Sequence, residues 1–516
     1  MVSTSYATAD RVRRKVVGEI ETKVRDNRTP PKLCTLHLDS NLTLTPKNHR
    51  VTEERMTVIV SNSTQMKLLG VPSYTKATDK SCGSISADLT MKLTDEWRCS
   101  HRIVIMTFDT TSSNTGYLSA ACIAIQNKLD RPILWSGCRH HIGEVILSYV
   151  FEDLKIEASK SPDVTLFTRF RSNWGLVPHS SSLKVPFSPS DHPPEAQELL
   201  AAMKSEFIAR AKETVVFVRE DYHEFIQLAL VYLGFDEGDD REIISFRRPG
   251  ALHKARWMAK IIYSLKIVLC EKKIGELQAG TMTTRQQMPK IRAFATFVTH
   301  VYGIWWLTCT KTVDAPWNDL QLFKCLVQYE KVHECIAKSA IRAVNRHLWY
   351  LTEEMVPLRL SFSMHPSRER KALADALLIV KPYTNLHAPL NRFGAGWGKP
   401  KFPSFVINAT TRLCDFVGKD SWFTIYRLLL DISFVSLPFT EWRSNEAYTA
   451  CLVNVGAVNV INDGAERGVK LSYDFVDTAR DDKHFQTVLQ VVEQDRKAAP
   501  NLRRKRSTVN IDHNME

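Results

Sequence analysis

The chain has 516 residues, 44 % hydrophobic and 24 % charged, with a net charge of +13 and a pI near 9.1. That length exceeds one ordinary core and points to two or three domains, while no apolar run approaches the roughly 18 residues that span a bilayer. The eleven cysteines are an odd number without framework spacing, which argues against a disulfide scaffold and suits reduced thiols in the cytosol or nucleus. A basic balance favours a polyanionic partner and is silent on catalysis.

Residues 1–31 read as a basic arm. Arg11–Arg28 has the pattern of a basic amphipathic helix with no apolar stretch behind it, so no secretory signal is expected. After Thr29-Pro30-Pro31 the pattern turns to short β-rich runs: Leu33–Leu38, Leu42–Leu44 and Met56–Val60 are predicted as three strands of an antiparallel meander. A helix is predicted over Asp79–Trp97 from the spacing of Ile85, Leu89, Leu93 and Trp97. The unbroken apolar run Ile103–Phe108 fits a strand buried on both faces. A helix over Asn114–Leu129, a strand over Pro132–Trp135 and a helix over His140–Phe151 follow.

This order is that of the RNase H fold, an α/β core with a mixed five-stranded sheet whose first and fourth strands lie side by side. The first part of such a core would occupy 32–153. Residues 154–445, helical apart from loops such as Pro178–Pro194, read as an all-α insertion domain. Helical patterns resume in 446–497, with one helix predicted across Glu446–Val476, and would return the chain to the core. The tail, 498–516, carries Arg503, Arg504, Lys505 and Arg506, a cluster that suits nuclear import, a phosphate-binding arm or a solvated tail.

Phosphoryl transfer on nucleic acid needs two divalent cations about 4 Å apart, held by converging carboxylates. Asp39 and Asp109 each follow an apolar run, and the expected fold would make them neighbours. Either aspartate alone also reads as a turn or helix-cap residue. Glu466 lies beside the helical stripe Val458, Ile461, Ala465 and Val469, among small residues. From spacing alone the stronger reading is a surface glutamate paired with Arg467.

The block Phe108-Asp109-Thr110-Thr111-Ser112-Ser113-Asn114-Thr115-Gly116, followed by Cys138-Arg139-His140-His141, resembles the second catalytic aspartate block and Cys-x-x-His motif of hAT-type DDE transposases. Transposase-like proteins of invertebrate genomes add a likeness at His37-Leu38-Asp39, at Arg248-Pro249-Gly250-Ala251-Leu252-His253 and at Asn462–Val469. The resemblance spans roughly residues 33–497. It implies a triad of Asp39, Asp109 and Glu466 holding two Mg²⁺ (or Mn²⁺) ions, with a helical domain inserted before the last member. It further implies DNA as partner, a nuclear location, the multimeric state usual for such transposases, and nuclease and strand-transfer chemistry. The alternative is a domesticated DNA-binding or scaffold protein without catalysis.

The likeness also gives Asn114, Cys138, His140 and His141 supporting or DNA-positioning roles. It places Arg248, Arg256 and Trp257 at the nucleic acid, Trp257 as a platform for a base, although its spacing also suits helix core. Two departures stand out: residues 1–60 hold no paired Cys and His spacing for a zinc finger of the BED type, and Ser40-Asn41 stand where Gly-Lys is expected. Cys138-x-x-His141 supplies only two of the four ligands of a structural zinc site. An aspartic-protease reading of the aspartate block fails, because Thr111 replaces the required glycine.

Overall fold

The computed structural model describes residues 29–44, 52–74, 81–116, 120–156, 164–177, 187–213, 219–235, 245–250, 256–276, 286–361, 368–382, 399–465, 468 and 482–498, with a few positions of the N-terminal arm. It is a mixed α/β structure built on a six-stranded sheet. The strands are β1 (Cys34–Leu44), β2 (Thr52–Ser61), β3 (Met66–Gly70), β4 (Ser73–Tyr74), β5 (Ile103–Phe108) and β6 (Leu134–Gly137). They lie in the order β3-β2-β1-β5-β6, with β4 paired to β2. β1, β2 and β3 run antiparallel, whereas β1, β5 and β6 run parallel.

Two expectations about the sheet need correction. It has six strands rather than five, and the predicted strand Leu42–Leu44 is the far end of β1, the third meander strand being β3. Asp39, Ser40 and Asn41 interrupt the apolar alternation, yet the ladder with β2 runs unbroken from Thr35↔Ser61 to Leu44↔Thr52. Asp39 therefore stands inside a strand, at the level where parallel pairing with β5 has ended.

Strand periodicity decides what covers each face. Val58 and Val60 of β2 join the main core, while Ile59 between them points to a second cluster with Leu68, Val71, Ala465, Phe485 and Leu489. The main core is continuous from Leu33 to Val460, so the helical region is packed onto the sheet. All six residues of β5 are buried, as an apolar run covered on both faces requires.

The helices that concern the site are α1 (Cys82–Glu96), α2 (Ser112–Thr115), α3 (Ala121–Lys128) and α4 (Arg139–Asp153). The single helix predicted over Asn114–Leu129 is thus two, α2 and α3. Between residues 154 and 445 the described elements are helical. They include α5 (Thr165–Ser172), α6 (Pro194–Glu213), α7 (Glu220–Tyr232), α8 (Arg256–Leu269) and α9 (Glu271–Glu276). Farther on come α10 (Gln287–Phe297), α11 (Gly303–Thr308), α12 (Ala315–Val344), α13 (Arg368–Ile379) and α14 (Ser421–Arg427).

α15 (Glu446–Gly456) stops well before the Val476 predicted. Beyond it residues 457–462 leave the helix, Asp463–Ala465 turn helical again, and α16 (Asp482–Ala498) packs by β3. There Gln486 and Gln490 donate to the carbonyls of Val71 and Leu68, at 2.6 and 2.9 Å. Side chains thus occupy backbone acceptors of an edge strand that would otherwise invite another chain.

Candidate carboxylate site at the sheet edge

Leu38 of β1 and Phe108 of β5 are register partners, so Asp39 and Asp109 are the next residues on adjacent parallel strands. Asp39 is 5 % exposed, and the Asp109 side chain 15 %. The backbone around Asp109 is fixed from both sides. Asn114 Nδ2 donates to the Asp109 carbonyl at 2.8 Å, and the Cys138 N–H donates to the Phe108 carbonyl at 2.8 Å. His141 Nδ1 lies 3.6 Å from Asp109 Oδ2 and 3.9 Å from Glu144 Oε2. Asn114, Cys138 and His141 therefore all border Asp109.

The crossing segment after α15 is tied to this edge through its backbone. Thr312 Oγ1 donates to the Val458 carbonyl (2.6 Å), Thr107 Oγ1 to the Asn459 carbonyl (2.6 Å), and the Arg139 N–H to the Val460 carbonyl (3.0 Å). The Asn459 N–H donates to Thr35 Oγ1 at 3.0 Å. These bonds come from four different parts of the fold. They explain why Val458 and Ile461, despite their helical spacing, do not continue α15, the chain turning helical again only at Asp463–Ala465.

Asn462 and Asp463 follow. Asn462 Nδ2 donates to the Leu38 carbonyl at 2.8 Å, and the Asn462 N–H to Cys138 Sγ at 3.2 Å. With its amide so oriented, Oδ1 accepts from His37 Nδ1 at 3.2 Å. His37 Nε2 lies 2.6 Å from Ser61 Oγ, a hydroxyl that can donate to a neutral imidazole. Burial agrees, lowering His37 to about 4 against the opposing pull of Asn462 and Asp463.

Asp463 Oδ1 lies 2.6 Å from His140 Nδ1, and Tyr222 Oη of α7 donates to its Oδ2 at 3.3 Å. His140 stacks on Trp306 at 6.1 Å and meets Tyr222 edge-on at 5.6 Å. Burial alone would lower its imidazole, but the neighbouring Cys309 sulfur and the Asp463 carboxylate outweigh that and raise it to about 10. Burial, with Asp109 and Asp463 adding to it, pushes the Cys138 thiol up.

Glu466 lies outside the described residues. On either side, Ala465 is fully buried, and a Cβ at Gly468 would fall 2.5 Å from Thr57 Cγ2. Thr57 is the register partner of Asp39, so the chain returns close to Asp39 after position 466. Among the described residues, no group of three or more His, Cys, Asp or Glu side chains could hold a metal ion.

Of the residues expected at the nucleic acid, the structure describes Arg248, Trp257 and the backbone of Arg256. Arg248 is exposed, in a loop tied to α8 by Tyr263, whose hydroxyl donates to the Gly250 carbonyl at 2.5 Å. Arg256 begins α8. Trp257 is only 7 % exposed and is enclosed by Tyr222, Tyr302 and Trp306. The platform role expected of it gives way to core packing, because its ring is already used. Arg503, Arg504, Lys505 and Arg506 lie outside the described residues.

His37, Tyr222, Asn462 and Asp463 were not singled out for roles by the sequence. The only signal for His37, Asn462 and Asp463 was membership of the blocks that carry the resemblance, and Tyr222 had none. No protein-family model matches the chain, and no curated protein does. Among the described residues no helix is long and apolar enough to cross a membrane.

Proposed function

We propose that the chain is a transposase-like, metal-dependent DNA nuclease and strand transferase on an RNase H-like sheet. The observation that carries this reading is the placement of Asp39 and Asp109 one residue beyond the partners Leu38 and Phe108 on adjacent parallel strands. The strand order supports it, as does the return of residues 458–468 to the same edge.

Carboxylate oxygens are the hard donors that Mg²⁺ and Mn²⁺ prefer, and Asp39, Asp109 and Glu466 are the residues assigned to hold two such ions. When bound, the ions activate the attacking oxygen and stabilise the leaving one. The chain itself supplies placement: Asn114 and Cys138 fix the backbone at Asp109, and His141 stands beside its carboxylate. Exposed Arg248, together with Arg256 and Arg503–Arg506, is assigned to DNA phosphates, within a nuclear multimer.

The test is incubation of purified protein with plasmid and flanking-end DNA in Mg²⁺, Mn²⁺ or EDTA, beside Asp109→Ala. Metal-dependent nicking that the substitution removes supports the reading. DNA binding without nicking in any metal replaces it with that of a catalytically silent DNA-binding or scaffold protein.

A further inference from the structure

We infer that Asn462 and Asp463 are positioning residues, a two-pronged staple that fixes the chain entering Glu466 against both the sheet and the helical region. The inference rests on the nuclease reading above.

The two side chains point to different parts of the molecule. Asn462 is 1 % exposed and uses its amide on β1, at the Leu38 carbonyl and the His37 ring, immediately before Asp39. Its N–H reaches Cys138, whose own N–H is bound to the Phe108 carbonyl, immediately before Asp109. One residue therefore bridges the strands that carry both aspartates. Asp463 is bound by His140 at the start of α4 and by Tyr222 of α7, which belongs to the helical region. Downstream, a Cβ at Gly464 would strike Met66 and one at Gly468 would strike Thr57, so the segment lies close along β2 and β3.

A buried carboxylate with a histidine and a tyrosine is a weak source of stability, since an apolar trio of the same shape holds two elements together as well. What such a group adds is a single geometry. Here that geometry governs the two residues, Gly464 and Ala465, between Asp463 and the assigned ligand Glu466. A ligand displaced by about 1 Å costs on the order of 10²-fold in rate.

The test uses the full chain with Mg²⁺ and plasmid DNA, comparing wild type, Asp463→Asn, Tyr222→Phe and the double variant, with amide exchange measured over residues 458–465. Asp463→Asn is expected to lower kcat by about 10²-fold while KM for DNA stays within about twofold. Tyr222→Phe, which removes one hydroxyl and keeps the ring, is expected to lower kcat by about threefold. The double variant should be no worse than Asp463→Asn, because both remove one interaction. Exchange over 458–465 should rise in each.

Unchanged kcat in Asp463→Asn overturns the inference. So does a rise of KM for DNA as large as the fall in kcat, or full additivity in the double variant. If wild type cleaves nothing, the nuclease reading fails separately. The staple is then decided by exchange alone, and unchanged protection in Asp463→Asn overturns it.

Discussion

Asn462 and Leu38 are 424 positions apart in the chain, yet the side-chain amide of one donates to the backbone carbonyl of the other at 2.8 Å. That bond brings the last part of the fold to the strand that carries Asp39, and it makes this edge of the sheet the place where substitutions are most informative.

On the nuclease reading proposed above, Asp39→Asn and Asp109→Asn should each reduce Mg²⁺-dependent cleavage by at least about 10³-fold, because each would remove a charge assigned to holding the ions. DNA affinity should change by less than about threefold, since affinity comes mainly from basic side chains on phosphates. Nicking assays and a binding titration at fixed salt check both parts.

His140, with Cys309 and Asp463 beside it, predicts a pH dependence of stability. His140 is raised to about 10 from an unfolded value near 6.5. The folded protein thus holds this proton where the unfolded chain releases it. The contribution is complete below about 6.5 and is lost as pH rises through about 10. Thermal unfolding followed from pH 6 to pH 10 should show a decline that is shallower in Asp463→Asn; equal slopes would remove the His140–Asp463 pair as its source.

His300 predicts the opposite behaviour on the acid side. It lies in the π-helical turn Val298–Tyr302 between α10 and α11, bonded to the Thr296 carbonyl, and burial lowers it to about 3. Its contribution is present above about 6.5 and is lost as pH falls toward 3. His300→Gln should flatten the acid limb of the stability curve, read by denaturant unfolding at pH 7, 5 and 4.

Trp257→Ala should destabilise the protein by about 3–5 kcal/mol, the usual cost of deleting a buried aromatic. Trp257→Phe should cost less, and should leave single-stranded DNA affinity unchanged within about twofold. A selective loss of DNA binding in Trp257→Phe, with stability intact, would falsify the core role of this ring.

Gly468→Ala should cost about 1–3 kcal/mol, because the new methyl meets Thr57 Cγ2, which is fully buried and cannot swing into solvent. Thr57→Ser removes that methyl and should restore most of the loss. Failure of Thr57→Ser to rescue would show that the chain does not pass over β2 at this point.

Strands buried on both faces were legible in the sequence, as β5 illustrates, because continuous apolar residues leave few alternatives. β1 was cut short at Asp39, since alternation registers burial and cannot register a ladder that continues through polar residues. The helix predicted from Glu446 is broken over 457–462 for a different reason. Val458, Ile461 and Ala465 have helical spacing, but Thr35, Thr107, Thr312 and Arg139 claim the backbone groups that a helix would have used. Those partners are remote in sequence, and no local pattern reports them. Asp109, Asn114, Cys138 and His141 were legible as a group because they fall within one short stretch. Asp463 gains its meaning only from Tyr222 and His140, which the chain brings to it from hundreds of positions away.

The bond from the Asn459 N–H to Thr35 Oγ1 spans 424 positions, and it has a consequence for the newborn chain. At elongation rates of 5–20 residues per second, Thr35 waits roughly 20–80 s for its partner to be synthesised. Throughout that interval β1 and β5 can pair, and the helices between can pack, but the edge that carries the two aspartates stays unfinished. Truncated products of translation therefore carry the sheet without its closing segment. Only a ribosome that has passed residue 459 and released it from the exit tunnel yields a molecule in which this edge is complete.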